Sequence, residues 1–153
     1  MVLVRCFMAP PVYAKMYALT KDKKFIDFLN SEYKATYDYL YDKEEKLFYR
    51  DRRYFNQKEA NGEKVFWGRG NGWVVAGLAE ILQELSPVSR YYDFYRDLFT
   101  ELSYRLAELQ GKDGYWHASL LDPDSYPSPE TSATGFIVYA LAYGVNNGIL
   151  DKK

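Results

Sequence analysis

The strongest candidate for a ligand site is the glycine- and tryptophan-rich stretch from Phe66 to Trp73 (FWGRGNGW). Trp67 and Trp73 could stack on the faces of a sugar ring, and the guanidinium group of Arg69 could hold a carboxylate through paired hydrogen bonds. Three alternating glycines would let the backbone turn sharply and approach a ligand closely. Their spacing matches neither a dinucleotide-binding fingerprint nor a P-loop. The stretch therefore predicts an acidic-sugar site, with a glycine-rich turn and core tryptophans as the alternative.

A second candidate is Asp51, which lies among arginines and aromatic residues in the stretch 47–54 (LFYRDRRY). A carboxylic acid at this position could donate and accept a proton as a general acid and base. Neighbouring arginines lower the pKa of an aspartate, whereas a general acid at neutral pH needs a raised pKa. The acid–base hypothesis therefore requires some of these arginines to point away from Asp51. A surface cluster of salt bridges is the alternative.

A third candidate is the pair Trp116 and His117, which follows an Asp-Gly turn and could line a pocket. A pair buried for structural reasons is the alternative. His117 is the single histidine and Cys6 the single cysteine, and neither has a partner at the spacing of metal ligands. We therefore expect no metal site and no cofactor.

Composition excludes several classes of function. The chain has 153 residues, which is enough for one domain, and its 20 basic and 21 acidic residues leave a net charge of −1, so no nucleic-acid partner is expected. No apolar run approaches the length of a membrane span, and Arg5 interrupts the apolar start, so we expect no signal peptide, no membrane association and a cytoplasmic location. Aromatic residues make up 18% of the chain, which suits both a core and sugar-stacking platforms.

Five helical segments are predicted, and they alternate between two kinds. Three are apolar nearly all round, at about Ala9–Leu19, Trp73–Leu85 and Pro129–Tyr143. Two carry a single apolar stripe, at about Asp22–Lys43 and Ser89–Gln110. A helix that is apolar on every side must be covered on every side, whereas a striped helix has one face in water. The order therefore predicts an all-α fold with an inner and an outer layer visited alternately, as in an α/α toroid or a helical-hairpin solenoid.

Long connections lead from each outer helix to the next inner helix, at about Glu44–Gly72 and Gly111–Ser128. The alternation of layers places both connections on one rim, at the N-termini of inner helices. Long loops in a compact helical domain usually carry function or lack order, and the aromatic residues here favour order. We therefore expect function at this rim. We also expect Ser128 to cap the last helix, with Pro129 in its first turn.

At these residues the sequence resembles glycoside hydrolase family 105, the unsaturated rhamnogalacturonyl hydrolases, which are related to family 88. The Phe66–Trp73 stretch resembles the family signature Trp-x-Arg-Gly-Asn-Gly-Trp. Four other stretches resemble the family in the same order, namely 7–11 (FMAPP), 47–51 (LFYRD), 114–132 (from GYWH through LDP to ETS) and 139–148 (YALAYGVNNG). The resemblance runs from about residue 7 to residue 150, as one partial toroid domain.

The resemblance implies part of an (α/α)6 barrel and an unsaturated galacturonyl-rhamnose disaccharide as substrate. Enzymes of the family hydrate the C4=C5 double bond of the unsaturated uronic acid, and the resulting hemiketal opens and releases rhamnose. By resemblance Asp51 is the acid/base and Arg69 contacts the uronate. The residues assigned to substrate binding are Trp67, Arg69, Trp73, Trp116 and His117.

Three departures from the family pattern qualify this assignment. Val4 stands where family members carry a second active-site aspartate, and Tyr49-Arg50-Asp51 stands where the family often has His-x-Trp-Asp. The family barrel has twelve helices, of which this chain supplies about five, so open edges of the layers should expose apolar surface and favour homo-oligomers. The sequence leaves open a truncated hydrolase, a non-catalytic carbohydrate-binding or relic protein, and a helical scaffold for protein partners.

Overall fold

Five α-helices and one short hairpin make up residues 9–151, the part of the chain that the computed structural model describes. Val4 and the first residues of the FMAPP stretch lie outside it. The helices are α1 (Pro10–Thr20), α2 (Lys23–Leu40), α3 (Gly68–Glu84), α4 (Tyr92–Glu108) and α5 (Thr131–Asn146). Strands β1 (Tyr41–Asp42) and β2 (Leu47–Phe48) pair antiparallel, and single 3-10 turns lie at Arg52–Tyr54 and Pro123–Ser125.

The helices form the two layers expected from the sequence. Helix α3 packs against α1 on one side and, most extensively, against α5 on the other, and these three form the inner layer. Helix α2 packs on α1 and α4 packs on α3, as an outer layer. The alternation of layers is therefore confirmed, and α3 is the centre of the described structure.

Burial differs among the three inner helices. Helix α3 is buried nearly all round, with Val74, Leu78 and Ile81 fully covered. In contrast, α1 exposes Val12 and Leu19, and α5 exposes Val138 and Tyr139. Their apolar composition predicts cover on every side, so these exposed faces mark where the inner layer ends within residues 9–151. The expected homo-oligomer through such faces remains a prediction.

The outer helices each bury one stripe, as their sequence periodicity predicts. Helix α2 buries Ile26, Leu29 and Tyr33, and α4 buries Tyr95 and Leu102. The two stripes meet at an edge-to-face contact, in which the rings of Tyr33 and Tyr95 have centroids 5.2 Å apart and an interplanar angle of 82°. Such a pair contributes roughly 0.5–1.5 kcal/mol beyond the burial of its area.

Three predicted helix ends are wrong, each for a local reason. Helix α2 ends at Leu40 rather than near Lys43, because the next two residues pair with β2. Helix α5 is capped by Glu130 rather than Ser128, since the Glu130 carboxylate accepts a hydrogen bond from the backbone N–H of Ala133. Helix α3 begins at Gly68, so the glycine-rich stretch is its first turn. Among residues 9–151, no helix combines the length and apolar character that a membrane span requires.

Candidate functional site

A cavity of about 500 Å³ opens at the rim where both long connections meet the start of α3. Its aromatic and small lining residues are Phe48, Tyr54, Trp67, Gly70, Trp73 and Ala118, and its charged lining residues are Arg50, Arg69 and Glu130. The first connection, the first turn of α3 and the segment before α5 each contribute to the wall. The structure thus brings Trp67, Arg69 and Trp73 together in one cavity wall, and their role in binding a sugar remains a prediction.

The alternating glycines serve close packing rather than a sharp turn. Gly68 and Gly72 are helical, and neither has a positive φ. A Cβ atom on Gly68 would collide with the backbone carbonyl oxygen of His117, and one on Gly72 would lie 3.3 Å from backbone atoms of Ala133. The absence of side chains here lets α3 approach α5 and the segment before it. The expectation of a glycine-rich turn is therefore corrected.

Asn71 joins the two halves of the cavity wall, and sequence reasoning did not single it out. Its side chain is fully buried. The amide oxygen accepts from the backbone N–H of Phe48 at 2.8 Å, and the amide nitrogen donates to the carbonyl oxygens of Phe48 and Trp67, each at 3.1 Å. Because these bonds satisfy backbone groups of β2, Asn71 fixes the first connection against α3.

The two cavity tryptophans are held edge-on by other rings. Trp67 lies between Tyr54, at 6.0 Å and 90°, and Tyr126, at 5.5 Å and 82°. Trp73 meets Phe136 at 5.8 Å and 77°. Both indoles remain half-buried and line the cavity, so part of each ring is available to a ligand.

Arg69 forms an ion pair with Glu130 inside the cavity. Its Nε and Nη2 donate to Glu130 Oε1 at 3.1 and 2.6 Å. The pair raises the pKa of Arg69 through this hydrogen bonding. Glu130 is the more buried partner and also caps α5. Glu130 was missed as a site residue because 61 residues separate it from Arg69, and no local pattern connects them.

Asp51 is buried and is not among the residues that line the cavity. Its carboxylate caps the turn Arg52–Tyr54 and accepts from the backbone N–H of Arg53 at 3.0 Å and from Arg53 Nε and Nη2 at 2.9 Å. These hydrogen bonds lower the pKa of Asp51 to about 2. Arg53 therefore does not point away, and Asp51 is ionised at neutral pH. Its proton-transfer role remains a prediction.

Trp116 and His117 also lie outside the cavity lining. Trp116 is fully buried, and its indole N–H donates to the carbonyl oxygen of Leu106 at 2.7 Å. His117 places Nδ1 3.2 Å from the carbonyl oxygen of Tyr126 and Nε2 3.5 Å from the carboxylate of Asp113. Through these contacts both residues hold in place the second long connection, which joins α4 to α5. In residues 9–151, no three His, Cys, Asp or Glu side chains converge on a common point.

Residues 5–153 match the model of Glycosyl Hydrolase Family 88. The chain belongs to this family. This match confirms the sequence resemblance to the family, and the solved structures given next confirm that the helices form part of an (α/α)6 barrel.

Relatives and solved structures agree with the family 88 assignment. The chain is 51% identical over 147 residues to the Unsaturated 3S-rhamnoglycuronyl hydrolase of Alteromonas sp. (strain LOR), a match that covers 96% of this chain and 36% of that protein. Family 88 is also represented by a solved structure from Bacteroides vulgatus, with a TM-score of 0.95, 37% identity and coverage of 98% of this chain and 44% of the other. A family 105 structure from C. acetobutylicum ATCC 824 gives a TM-score of 0.82 at 25% identity, with coverage of 99% and 44%.

The family 88 chain thus spans little more than a third of the length of the curated relative that it matches. Within that span the signature stretch contributes both indoles and Arg69 to the cavity wall, and Asn71 to the hydrogen bonds that fix the first connection against α3. The cavity is accordingly a sugar-binding candidate in a glycoside hydrolase fold.

Proposed function

We propose that this family 88 chain binds a saccharide ending in an unsaturated uronic acid linked to rhamnose and acts in hydrating its C4=C5 double bond. The observation that carries the proposal is the cavity with two half-buried indoles beside a guanidinium–carboxylate pair. Aromatic faces and charged hydrogen-bonding groups are what a sugar site requires, and the two arginines against one glutamate in the lining leave a positive charge that suits an acidic sugar. The name of the Alteromonas relative, an unsaturated 3S-rhamnoglycuronyl hydrolase, supports the same substrate class.

The proposed reaction adds one water molecule across the double bond. A proton is added to C4 and a hydroxyl group to C5, and the resulting hemiketal opens to release the neighbouring sugar. The chain's part in this chemistry is to hold the ring between Trp67 and Trp73 and to hydrogen-bond its polar groups through Arg69 and Glu130. Positioning of this kind converts binding energy into rate.

Proton donation is the step on which two candidate functions differ. Asp51, the predicted acid/base, is ionised at neutral pH and engaged by Arg53, so it donates a proton only if Arg53 withdraws. This observation favours a second candidate function, which is carbohydrate binding without turnover. The two candidates share the cavity and differ in whether the double bond is consumed.

The test follows the ultraviolet absorbance of an unsaturated galacturonyl-rhamnose disaccharide, because hydration removes the absorbing double bond. We expect the wild-type chain to lower the absorbance and Asp51→Asn to abolish the change. Asp124→Asn is the matched control, since Asp124 is exposed on the other connection. Calorimetry on the same samples measures binding independently.

Each combination of results has one meaning. Binding with a flat absorbance trace supports the non-catalytic function. Turnover that persists in Asp51→Asn assigns the proton transfer to another group. A folded chain that neither binds nor consumes the disaccharide contradicts both candidates.

A further inference from the structure

We infer that Arg50 is the residue of this cavity that recognises an anionic substituent of the sugar. The sequence resemblance assigns the uronate contact to Arg69, and nothing in the resemblance assigns a role to Arg50. The inference rests on the proposed function, because Arg50 would bind the anionic group of the same saccharide.

Arg69 is already neutralised by a partner in the cavity. Two nitrogen atoms of its guanidinium group, Nε and Nη2, donate hydrogen bonds to one oxygen of Glu130. Glu130 is in turn anchored as the cap of α5, so the pair is held in place. An anion that approached Arg69 would also approach the Glu130 carboxylate, and the like charges would repel. The Arg69–Glu130 pair is therefore better suited to sugar hydroxyl groups than to an anion.

Arg50 has no such partner in the cavity. Its Nη1 donates to the hydroxyl of Tyr54 at 3.2 Å, and its guanidinium carbon lies 5.9 Å from the centre of the Tyr54 ring. The nearest carboxylate contact in residues 9–151 is Asp51 Oδ2, at 3.7 Å from Arg50 Nε. Both oxygens of Asp51 already accept hydrogen bonds from Arg53. The carboxylate that is adjacent to Arg50 in sequence is thus committed to another arginine.

The charges that line the cavity also indicate Arg50 as the group that binds an anion. Arg50 and Arg69 are positive and Glu130 is negative, which leaves one uncompensated positive charge, located at Arg50. About half of the Arg50 side chain is exposed, at 51%, so a ligand can reach it. The Tyr54 ring lies beside the guanidinium group, and an apolar surface next to a charge strengthens its attraction for an anion.

The ligand group that fits Arg50 is a planar or tetrahedral oxyanion, because a guanidinium group pairs with two oxygens at once. The uronate carboxylate and a sulfate ester on the neighbouring sugar both supply this chemistry. The experiment therefore uses four forms of the disaccharide. Its carboxyl group is intact or reduced to an alcohol, and its rhamnose is sulfated or unsulfated.

Calorimetric titration of each form compares the wild-type chain with Arg50→Gln, Arg50→Lys and the control Arg52→Gln. Arg52 is exposed, adjacent in the chain and absent from the cavity lining. We expect Arg50→Gln to weaken binding of the anionic forms about tenfold or more and to leave the uncharged form unchanged, because hydrogen bonds to charged groups are the strong ones. Arg50→Lys should retain part of the affinity, and Arg52→Gln should resemble wild type.

The form that loses affinity identifies the anion. Loss confined to the carboxylate forms indicates the uronate, and loss confined to the sulfated forms indicates the ester. An equal loss for the uncharged form, or no loss at all, overturns the inference.

A second measurement separates this inference from the proposed function. The side-chain Nε–H signals of Arg50 and Arg69 are followed by NMR during titration with inorganic sulfate, with Arg50→Gln to assign the first signal. If no disaccharide binds, the proposed function fails. If sulfate still shifts the Arg50 signal and leaves the Arg69 signal unchanged, the anion site at Arg50 is supported. If the Arg50 signal does not move, the inference about Arg50 is wrong.

Discussion

Two arginine–carboxylate pairs lie at the same rim and differ in how they are built. Arg53 and Asp51 are two residues apart, and the backbone turn that Asp51 caps also brings their side chains together. Arg69 and Glu130 are 61 residues apart and meet only because α3 packs against the start of α5. The first pair is local, whereas the second depends on the tertiary structure.

The two pairs also differ in where they lie relative to the cavity. Neither residue of the local pair is among those that line the cavity, and its carboxylate is almost fully buried. The long-range pair lines the cavity, and its arginine is mostly exposed. Asp51 and Arg53 are therefore brought together by one turn, while the charged cavity wall joins Arg50, Arg69 and Glu130 from distant segments.

The largest loss of stability should come from Gly68→Ala, which disturbs the packing that brings Arg69 and Glu130 together. The added methyl group would collide with the carbonyl oxygen of His117 and push α3 away from the segment that carries Glu130. We expect the free energy of unfolding to fall by about 3 kcal/mol, measured by urea denaturation. The matched control is Gly135→Ala, since nothing lies within 4 Å of that Cβ position, and helix propensity predicts a small gain. Equal effects of the two substitutions would contradict the packing argument.

An intermediate loss of stability should come from Asp51→Asn, which removes the charge that pairs with Arg53. Because the pKa of Asp51 is lowered from 3.8 to about 2 in the folded state, its contribution is complete above about pH 5 and is lost as the pH falls from about 4 towards 2. We expect a loss of about 1–2 kcal/mol at pH 7 that shrinks below pH 4. Urea denaturation at several pH values measures this difference. A deficit that stayed constant down to pH 2 would show that the charge of Asp51 is not what stabilises the turn.

The smallest effect on stability should come from Glu130→Gln. The amide oxygen can still accept from the N–H of Ala133, so the cap of α5 persists. Only the ion pair with the exposed Arg69 is lost, and such pairs contribute under about 1 kcal/mol. Glu130→Ala, which also removes the cap, should cost about 1 kcal/mol more in thermal or urea unfolding. If Glu130→Gln cost as much as Asp51→Asn, the two pairs would not differ in the way described.

Periodicity and motif were sufficient to predict much of the fold. The apolar-all-round and striped helices place Leu78 in the centre and Tyr33 between the layers, because burial of apolar faces decides both positions. The signature stretch likewise placed Trp67, Arg69 and Trp73 in one wall. Each of these predictions depends on residues that lie close together in the chain.

The remainder of the site depends on contacts that a single sequence does not display. Glu130 lies in a stretch that resembles the family, but its contact with Arg69 follows from the packing of α5 against α3. Asn71 looked like part of a glycine-rich turn, whereas it bonds to the backbone of β2. Trp116 has the same residue type as the cavity indoles, and the structure shows that it belongs to the core through its full burial and its hydrogen bond to the Leu106 carbonyl.

The placement of the three tryptophans also gives this protein two separate optical signals. Trp116 is enclosed in the core and hydrogen-bonded to α4, whereas Trp67 and Trp73 face the cavity. Fluorescence from the enclosed ring is shielded from a dissolved quencher such as iodide until the chain unfolds. The two cavity rings are open to the quencher, and an occupant would shield them. Quenching of the folded chain therefore reports on occupancy, and the fraction of emission that resists quenching reports on the integrity of the core.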